Sequence, residues 1–304
     1  MKLYHVYMRG RNGWGIFYRL ADFLFFYTLF SVLTREMGLK VVAFNIMFNH
    51  IHSGIRDISR ALLTAFQHRL TRIFVSQYNE EYGRSGPLFQ KSFGRSVKSR
   101  AKKILACVAY IFNNPVAGHL TKKAEDYRWS LLAYSRDTHP FSEKIVIREA
   151  RRTLRRSLKT IDTCFEKGQY LNYATLRRIY HDLNAKEKKQ VTDYILQKYM
   201  FLDLQAIRDL YGSLEKALIS FDSNAGQEYD LVEENEDHSF YRDMVRIMNQ
   251  AGLGDRYVES LPTQELRSLQ RKIQDRLNPP AGFLRRFFHQ ERPSEGGRQL
   301  SDNQ

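Results

Sequence analysis

The sequence predicts an α+β fold in residues 1–140, an antiparallel sheet with helices on one face, followed by an all-helical region over 141–292. Two observations predict it. In the first part, strand-like and helix-like segments follow one another in the order strand, helix, strand, strand, helix, strand, helix. The second part has apolar residues at helical spacing alone. Mixed runs of the first kind form a layer of helices on a half-buried sheet.

The first strand and the first helix flank a glycine-rich loop. Residues 3–8 are rich in Tyr and Val and predict a strand, and the glycines within 10–15 predict a flexible loop. Asp22 is a plausible N-cap for a helix that continues to about Met37, where Gly38 ends it.

Two further strands are predicted at 40–48 and 50–55, separated by a tight turn or bulge at Asn49. A long helix then begins at Asp57 or Ser59 and ends at Gly83, because apolar residues recur between them at helical spacing.

The first part closes with a strand and a helix. The pattern predicts a strand at 88–93, after the turn at Gly86-Pro87, and a helix at about 99–113. We expect that helix to end where Pro115 forbids continuation.

The remaining helices, which we interpret as an accessory domain, are predicted at 143–168, 173–183, 185–199, about 204–221, 240–252 and 263–277. The polar, acidic stretch 222–237 predicts an exposed loop, and 293–304 predicts a disordered tail.

Composition indicates a folded protein in a reducing compartment. Of the 304 residues, 43% are hydrophobic and 27% charged, which is too apolar for disorder. Cys107 and Cys164 are far apart and have no metal-ligand spacing, which favours a reduced, cytoplasmic setting. Residues 1–5 lack an apolar signal core, and the apolar run 23–33 is too short to span a bilayer.

The positive charge is concentrated in the first part of the chain. The net charge is +15, and residues 1–140 hold 21 Lys and Arg against 8 Asp and Glu. The stretch 84–103 contains seven basic residues and no acidic one. This asymmetry favours a polyanionic partner, nucleic acid above all, over a basic surface kept only for solubility.

Four residues suggest chemistry on such a partner. His50 and His52 point to the same side of a strand, because side chains alternate with period two. Tyr110 and Asn114 are four apart and lie on one face of a helix. A histidine pair that can hold a divalent metal, beside a tyrosine that can attack phosphorus, is suited to cutting DNA and retaining the cut end.

Each residue also has a simpler interpretation. An isolated His-X-His is usually a strand pair without a metal, and a helical tyrosine usually packs against its neighbours. Asn114 could simply cap the helix before Pro115.

The chemistry explains why these residue types would occur together. Tyrosine is a poor nucleophile at neutral pH because its pKa is about 10. Mg²⁺ or Mn²⁺ helps by polarising the phosphoryl oxygens. Two imidazoles bind such hard ions weakly, so we expect an oxygen ligand, and the Asn114 carboxamide would supply it.

Six ordered blocks in residues 4–134 carry a resemblance to a known family. They are Tyr4-His5-Val6-Tyr7-Met8-Arg9-Gly10, Ile16-Phe17, Met47-Phe48-Asn49-His50-Ile51-His52, Tyr82-Gly83-Arg84-Ser85-Gly86-Pro87-Leu88-Phe89-Gln90, Tyr110-Ile111-Phe112-Asn113-Asn114-Pro115-Val116 and Glu125-Asp126-Tyr127-Arg128-Trp129-Ser130. The chain resembles the REP-associated tyrosine transposases, which are single-tyrosine HUH transposases. Phe48, Phe112 and Arg128 depart from the family's common proline, histidine and proline.

The resemblance implies a ferredoxin-like sheet of the HUH nuclease type. It implies that His50 and His52 hold the metal, that Asn114 contributes to it, and that Tyr110 forms a 5′-phosphotyrosine link. The implied function is a cytoplasmic, nucleoid-associated bacterial transposase that cleaves and rejoins single-stranded, hairpin-bearing DNA during transposition and recombination. A homodimer is compatible with it.

For DNA contacts we predict two segments, because basic side chains follow a backbone while aromatic faces stack on unpaired bases. The residues are Arg9, Arg11, Asn12, Trp14, Gln90, Lys91, Arg95 and Lys98. Trp14 could equally be a core residue.

Two other functions are also compatible with the sequence. A domesticated regulator would bind hairpin DNA on the same scaffold without cleaving it. A replication or mobilisation initiator would use the same chemistry but is expected to have a helicase partner or domain. The segment 261–289 faintly resembles the helix-turn-helix-like ends of some relatives, so target choice or protein contact is an open role for the helical region.

Overall fold

The fold contains one antiparallel sheet and eleven described α-helices. A computed structural model describes residues 1–90, 93–223, 238–253 and 261–290. The sheet has the order β2-β3-β1-β4, and every neighbouring pair is antiparallel. The strands are β1 (Leu3–Arg9), β2 (Lys40–Ile46), β3 (His50–Arg56) and β4 (Gly94–Lys98). The predicted α+β class with an antiparallel sheet is therefore confirmed.

The first two helices begin and end close to their local sequence signals. They are α1 (Leu20–Glu36) and α2 (Arg60–Tyr82). The Ser59 side chain accepts a hydrogen bond from the Leu62 N–H, and Gly83 closes α2 with a φ of 62°. Asp22 is not the N-cap of α1 as predicted. Arg19 holds that position, and the Asp22 carboxylate accepts its backbone N–H in a capping box.

Helices cover both faces of the sheet, so the prediction of helices on one face was wrong. Phe44 of β2 packs against Tyr27 and Phe30 of α1 on one face. Its neighbour Asn45 points the other way and donates a hydrogen bond to Ile111 of α3 (Ala101–Ala117). Strand side chains alternate between faces, so α3 lies opposite α1 and α2.

The fourth strand lies further along the chain than predicted. The apolar segment 88–93 is not a ladder strand in its described part, although Phe89 forms a single bridge with Gly10. β4 is instead the polar edge strand Gly94–Lys98. Its Gly94 lies under the Tyr7 ring, where a Cβ atom would be only 2.2 Å from the nearest ring carbon. The edge strand therefore needs glycine at this position.

Helix α3 continues through Pro115 to Ala117, which corrects the predicted end near residue 113. Proline has no N–H to donate to the carbonyl four residues earlier, which belongs to Ile111. The buried Asn45 amide supplies that donor at 3.2 Å, so the helix continues without leaving the carbonyl unsatisfied.

This substitution of donors is testable. We expect Asn45→Ala to lower the free energy of unfolding by about 1–3 kcal/mol, because a buried carbonyl loses its donor. Pro115→Ala should recover part of the loss in the double variant, since alanine restores the backbone N–H that normally serves this carbonyl. Urea denaturation of the native protein, both single variants and the double variant measures both effects. If the double variant were no more stable than Asn45→Ala, the compensation would be disproved.

The described helices of the second part are α4 (Arg152–Glu166), α5 (Tyr173–Tyr180), α6 (Ala185–Lys198), α7 (Leu204–Tyr211), α8 (Leu214–Ser223), α9 (Ser239–Gln250), α10 (Thr263–Leu277) and α11 (Ala281–Phe287). The helix predicted from residue 143 begins only at Arg152. The helix predicted over 204–221 is two helices, because Gly212 adopts a φ of +80° between them. Of the predicted loop 222–237, residues 224–237 lie outside the described residues, and the predicted tail 293–304 lies wholly outside them.

The second part packs directly on the sheet. Leu202 forms a parallel bridge with Val41 of β2, and Phe201 packs edge-on against Phe44 at 4.9 Å. One hydrophobic cluster contains most of the buried apolar side chains of both parts, and Met47, Leu120 and Tyr127 form a second, smaller one. Among the described helices, none combines the length and the apolar character needed to cross a membrane.

Candidate active site

The histidine pair lies in the centre of the sheet. His50 and His52 are on the same face of β3, between Asn45 and Tyr7, which lie opposite His52 on the two neighbouring strands. The ring centroids of the pair are 4.9 Å apart. His52 is fully buried and His50 is half-buried. The strand alternation expected from the sequence therefore brings the two imidazoles together.

Helix α3 crosses the same face and brings Tyr110 and Asn114 to the histidines. The Tyr110 ring lies edge-on to the His52 ring at 5.6 Å. The Asn114 Oδ1 atom is 3.4 Å from His50 Nε2, while its Nδ2 donates to the Tyr110 carbonyl at 3.0 Å. Since α3 continues past Asn114, the interpretation of this residue as a terminal cap before Pro115 is wrong. The structure thus gathers the four residues singled out in the sequence.

His5, which no sequence pattern singled out, holds His52 in place. His5 Nε2 and His52 Nδ1 are 2.9 Å apart, and both rings are buried. The Tyr110 ring is also edge-on to His5, at 5.8 Å. A proton on His52 Nδ1 would be shared with His5 and would leave the lone pair of His52 on Nε2. The available signal was that His5 and Tyr7 share the face of β1 that adjoins the histidines of β3.

His238 is a second missed neighbour, and it comes from the helical region. Its ring centroid is 5.4 Å from that of His50, and its backbone N–H donates to the Gly118 carbonyl at 3.0 Å. The side chain is 4% exposed and stacks on Tyr241. No local pattern predicted this contact, because 188 residues separate the two histidines in the chain.

The environment favours neutral imidazoles. Burial lowers the pKa of His52 well below the usual value, and electrostatic interactions with His50 and Arg9 lower it further. Burial likewise lowers the pKa of His238, with His50, Arg9 and Arg286 adding to the effect. A neutral imidazole keeps the lone pair that a metal requires.

The donor atoms available to a divalent ion at this place form a weak ligand set. No three His, Cys, Asp or Glu side chains of the described chain are arranged to hold a metal. The candidate ligands are therefore two imidazoles and a carboxamide oxygen. Asn114 Oδ1 and His50 Nε2 already face each other, and the bond to His5 orients His52 as an outer partner orients a metal-bound histidine.

No protein-family model, curated protein or solved structure was found to match the chain. Function is therefore inferred from the site and from the resemblance of the six sequence blocks.

The residues predicted to contact DNA near the glycine loop differ in their surroundings. Arg9 ends β1 and lies close enough to depress the pKa of His52. Arg11 and Asn12 are exposed on a short 3₁₀ turn (Arg11–Gly13). Trp14 is half-buried and stacks on His289, with ring centroids 4.7 Å apart and an interplanar angle of 8°.

The second segment predicted to contact DNA, from Gln90 to Lys98, places its strand residues on both faces of the sheet. Lys98 lies opposite Leu3, on the histidine side. Arg95 lies opposite Val6, on the other side, with its guanidinium 6.0 Å from the Phe93 ring centroid. Gln90 is exposed, and its backbone N–H donates to the Arg9 carbonyl. Lys91 lies outside the described residues.

Proposed function

We propose that this protein is a metal-dependent DNA strand transferase that cleaves and rejoins single-stranded, hairpin-bearing DNA through a 5′-phosphotyrosine intermediate. The observation that carries the proposal is the convergence of His50, His52, Tyr110 and Asn114 on one face of the sheet. Two of these residues come from a strand and two from a helix about 60 residues later.

The fold supports the same proposal. The six elements from β1 to β4 follow the order strand, helix, strand, strand, helix, strand, and the sheet order is β2-β3-β1-β4. We interpret this order as that of a split βαβ, ferredoxin-like unit, with α3 added on the second face. A ferredoxin-like fold of the HUH nuclease type is therefore part of the proposal.

Each residue has a defined task. The Tyr110 oxygen attacks the phosphorus of the scissile phosphodiester, the bond to the 3′ oxygen breaks, and the proton lost by the phenol is balanced by the one that the 3′ oxygen takes up. His50, His52 and Asn114 would hold Mg²⁺ or Mn²⁺, which supplies charge neutralisation at the phosphoryl oxygens. His5 keeps His52 oriented. The linkage to Tyr110 conserves the energy of the phosphodiester for rejoining.

The direct test is the capture of the covalent adduct. The full-length protein is incubated with end-labelled single-stranded hairpins carrying randomised unpaired flanks, in Mn²⁺, in Mg²⁺ or in a chelator. We expect a denaturant-resistant protein–DNA adduct in at least one metal and none in the chelator. Binding of the pool without an adduct in either metal would refute the strand-transferase proposal.

The role of His5 gives a second, independent prediction. We expect His5→Phe to weaken Mn²⁺ binding by about 10–100-fold, because His52 loses the partner that orients it. His5→Gln, which keeps an acceptor, should recover part of the affinity. Calorimetric titration of the protein without DNA measures both variants. Equal affinity of all three proteins would show that His5 does not position His52.

A second candidate function is a hairpin-DNA-binding regulator without cleavage. The observation that favours it is the low accessibility of the histidine pair, since His52 is fully buried and His238 packs against His50. Such a protein would bind the same hairpins with a strong dependence on salt. It would form no adduct in the experiment described above.

A further inference from the structure

A groove of about 450 Å³ lies where the sheet domain meets the helical region. Its lining includes Phe48, Trp129 and Phe141, together with Lys188 and Lys189 of α6. Arg242 of α9 also lines it. Neither lysine has been given a function by the sequence or by the candidate site.

Two aromatic side chains of the groove each pack against another side chain. Trp129 stacks on the buried Phe23, with ring centroids 4.4 Å apart and an interplanar angle of 17°. Phe141 has the Arg128 guanidinium 4.7 Å from its ring centroid. Rings that the fold already supports on one side lose little entropy when a flat ligand stacks against them. Their arrangement suits a nucleobase.

The charges of the groove suit a phosphate chain. Lys188 and Lys189 are exposed on α6 and form no ion pair with any described residue. Arg128 is committed to the buried Asp193, at 2.8 Å, so it does not add to the available charge. Arg242 is likewise ion-paired, with Asp243 at 3.6 Å. Asp126 is the acidic side chain among the lining residues, and Lys188 and Lys189 supply the available positive charge. The lining is therefore net positive beside aromatic rings.

The groove adjoins the candidate active site. Phe48 is two residues before His50, and its ring stacks on Tyr241 of α9. Arg242 donates to the Leu120 carbonyl, just beyond α3, the helix that carries Tyr110 and Asn114. The groove and the candidate active site therefore share the segment before β3 and the segment after α3.

We propose that this groove binds unpaired nucleotides of the DNA strand that flanks the cleaved position, with bases stacked at Trp129 and Phe141 and phosphates at Lys188 and Lys189. The proposal rests on the proposed function for its ligand class, single-stranded DNA. It assigns a substrate-binding role to the helical region, which supplies both lysines and Phe141.

The two tryptophans of the chain provide separate reporters. The full-length protein labelled with fluorotryptophan gives one fluorine resonance for Trp14 and one for Trp129, assigned with Trp129→Phe. We expect titration with a short oligothymidine to shift the Trp129 resonance, whereas a blunt duplex of the same length should leave it in place. An unmoved Trp129 resonance at saturation, or one moved equally by the duplex, would overturn the proposal.

The lysines are tested with neutral substitutions. We expect Lys188→Gln/Lys189→Gln to raise the Kd for oligothymidine severalfold and to reduce the slope of log K against log salt by about 1.4, the value for two phosphate contacts on a single strand. The matched control is Arg155→Gln/Lys159→Gln, which removes the same charge from the exposed face of α4. Equal slopes for the two double variants would overturn the proposal.

Failure of this inference is distinguishable from failure of the proposed function. Adduct formation is measured on the same protein preparations, with the labelled hairpins and metals described above. An adduct without a shift of the Trp129 resonance would leave the strand-transferase proposal standing and would refute nucleotide binding in the groove. A Trp129 shift with the expected slope but no adduct would support the groove in a protein that only binds DNA.

Discussion

Replacing Tyr110 with Phe is expected to abolish the covalent adduct, a loss on the order of 10⁴-fold or more, because the nucleophilic oxygen is gone. The ring is kept, so its edge-on contacts with His5 and His52 remain and the melting temperature should change little. The measurement is the rate of adduct formation with a labelled hairpin in Mn²⁺. An adduct that persisted in Tyr110→Phe would refute the assignment of the nucleophile.

Tyr7 provides the matched control for this experiment. It is a second phenol on the histidine side of the sheet, with its ring centroid 6.3 Å from that of His52. We expect Tyr7→Phe to retain adduct formation, because its ring lies across the edge strand at Gly94 and not on α3. If Tyr7→Phe lost the adduct while Tyr110→Phe kept it, the nucleophile would be Tyr7.

Local sequence signals predicted the features that depend only on neighbouring residues, namely helix ends and the side chains that share a face. Gly38 and Gly83 were predicted as helix ends, and Ser59 was one of two predicted helix starts, because each provides a backbone conformation or a hydrogen bond within its own turn. The pairing of His50 with His52, and of Tyr110 with Asn114, followed from the period of a strand and of a helix. Whether the two pairs lie close together depends on tertiary structure. That proximity was expected from the family resemblance and not from local spacing.

The predictions that failed depended on distant parts of the chain. Pro115 is tolerated inside α3 because Asn45, 70 residues earlier, donates to the carbonyl that proline cannot serve. The predicted strand at 88–93 precedes the observed β4, because an apolar pattern predicts buried strands whereas β4 is a polar edge strand. His238 reaches His50 only because α9 packs over the end of α3, which no short pattern encodes.

Asp22 shows the same dependence on tertiary structure with a larger energetic consequence. The residue stands at the start of an apolar run and is fully buried. Its carboxylate accepts hydrogen bonds from the Tyr82 hydroxyl at 2.6 Å and from the Tyr173 hydroxyl at 3.0 Å. It also accepts the backbone N–H of Tyr18 and that of Arg19. One side chain therefore joins α1 to α2 and to α5 of the helical region.

We expect Asp22→Ala to lower the free energy of unfolding by about 3–5 kcal/mol, because several buried donors lose their acceptor at once. For a chain of this size that corresponds to a fall in melting temperature on the order of 10 °C. Asp22→Asn, which keeps one acceptor oxygen, should be intermediate. Asp275→Ala on the exposed side of α10 is the control and should change stability by less than about 0.5 kcal/mol. Chemical and thermal denaturation measure the stability of all three variants. If Asp22→Ala lowered the free energy of unfolding by less than about 1 kcal/mol, the two tyrosines and the start of α1 would have to find other hydrogen-bond partners.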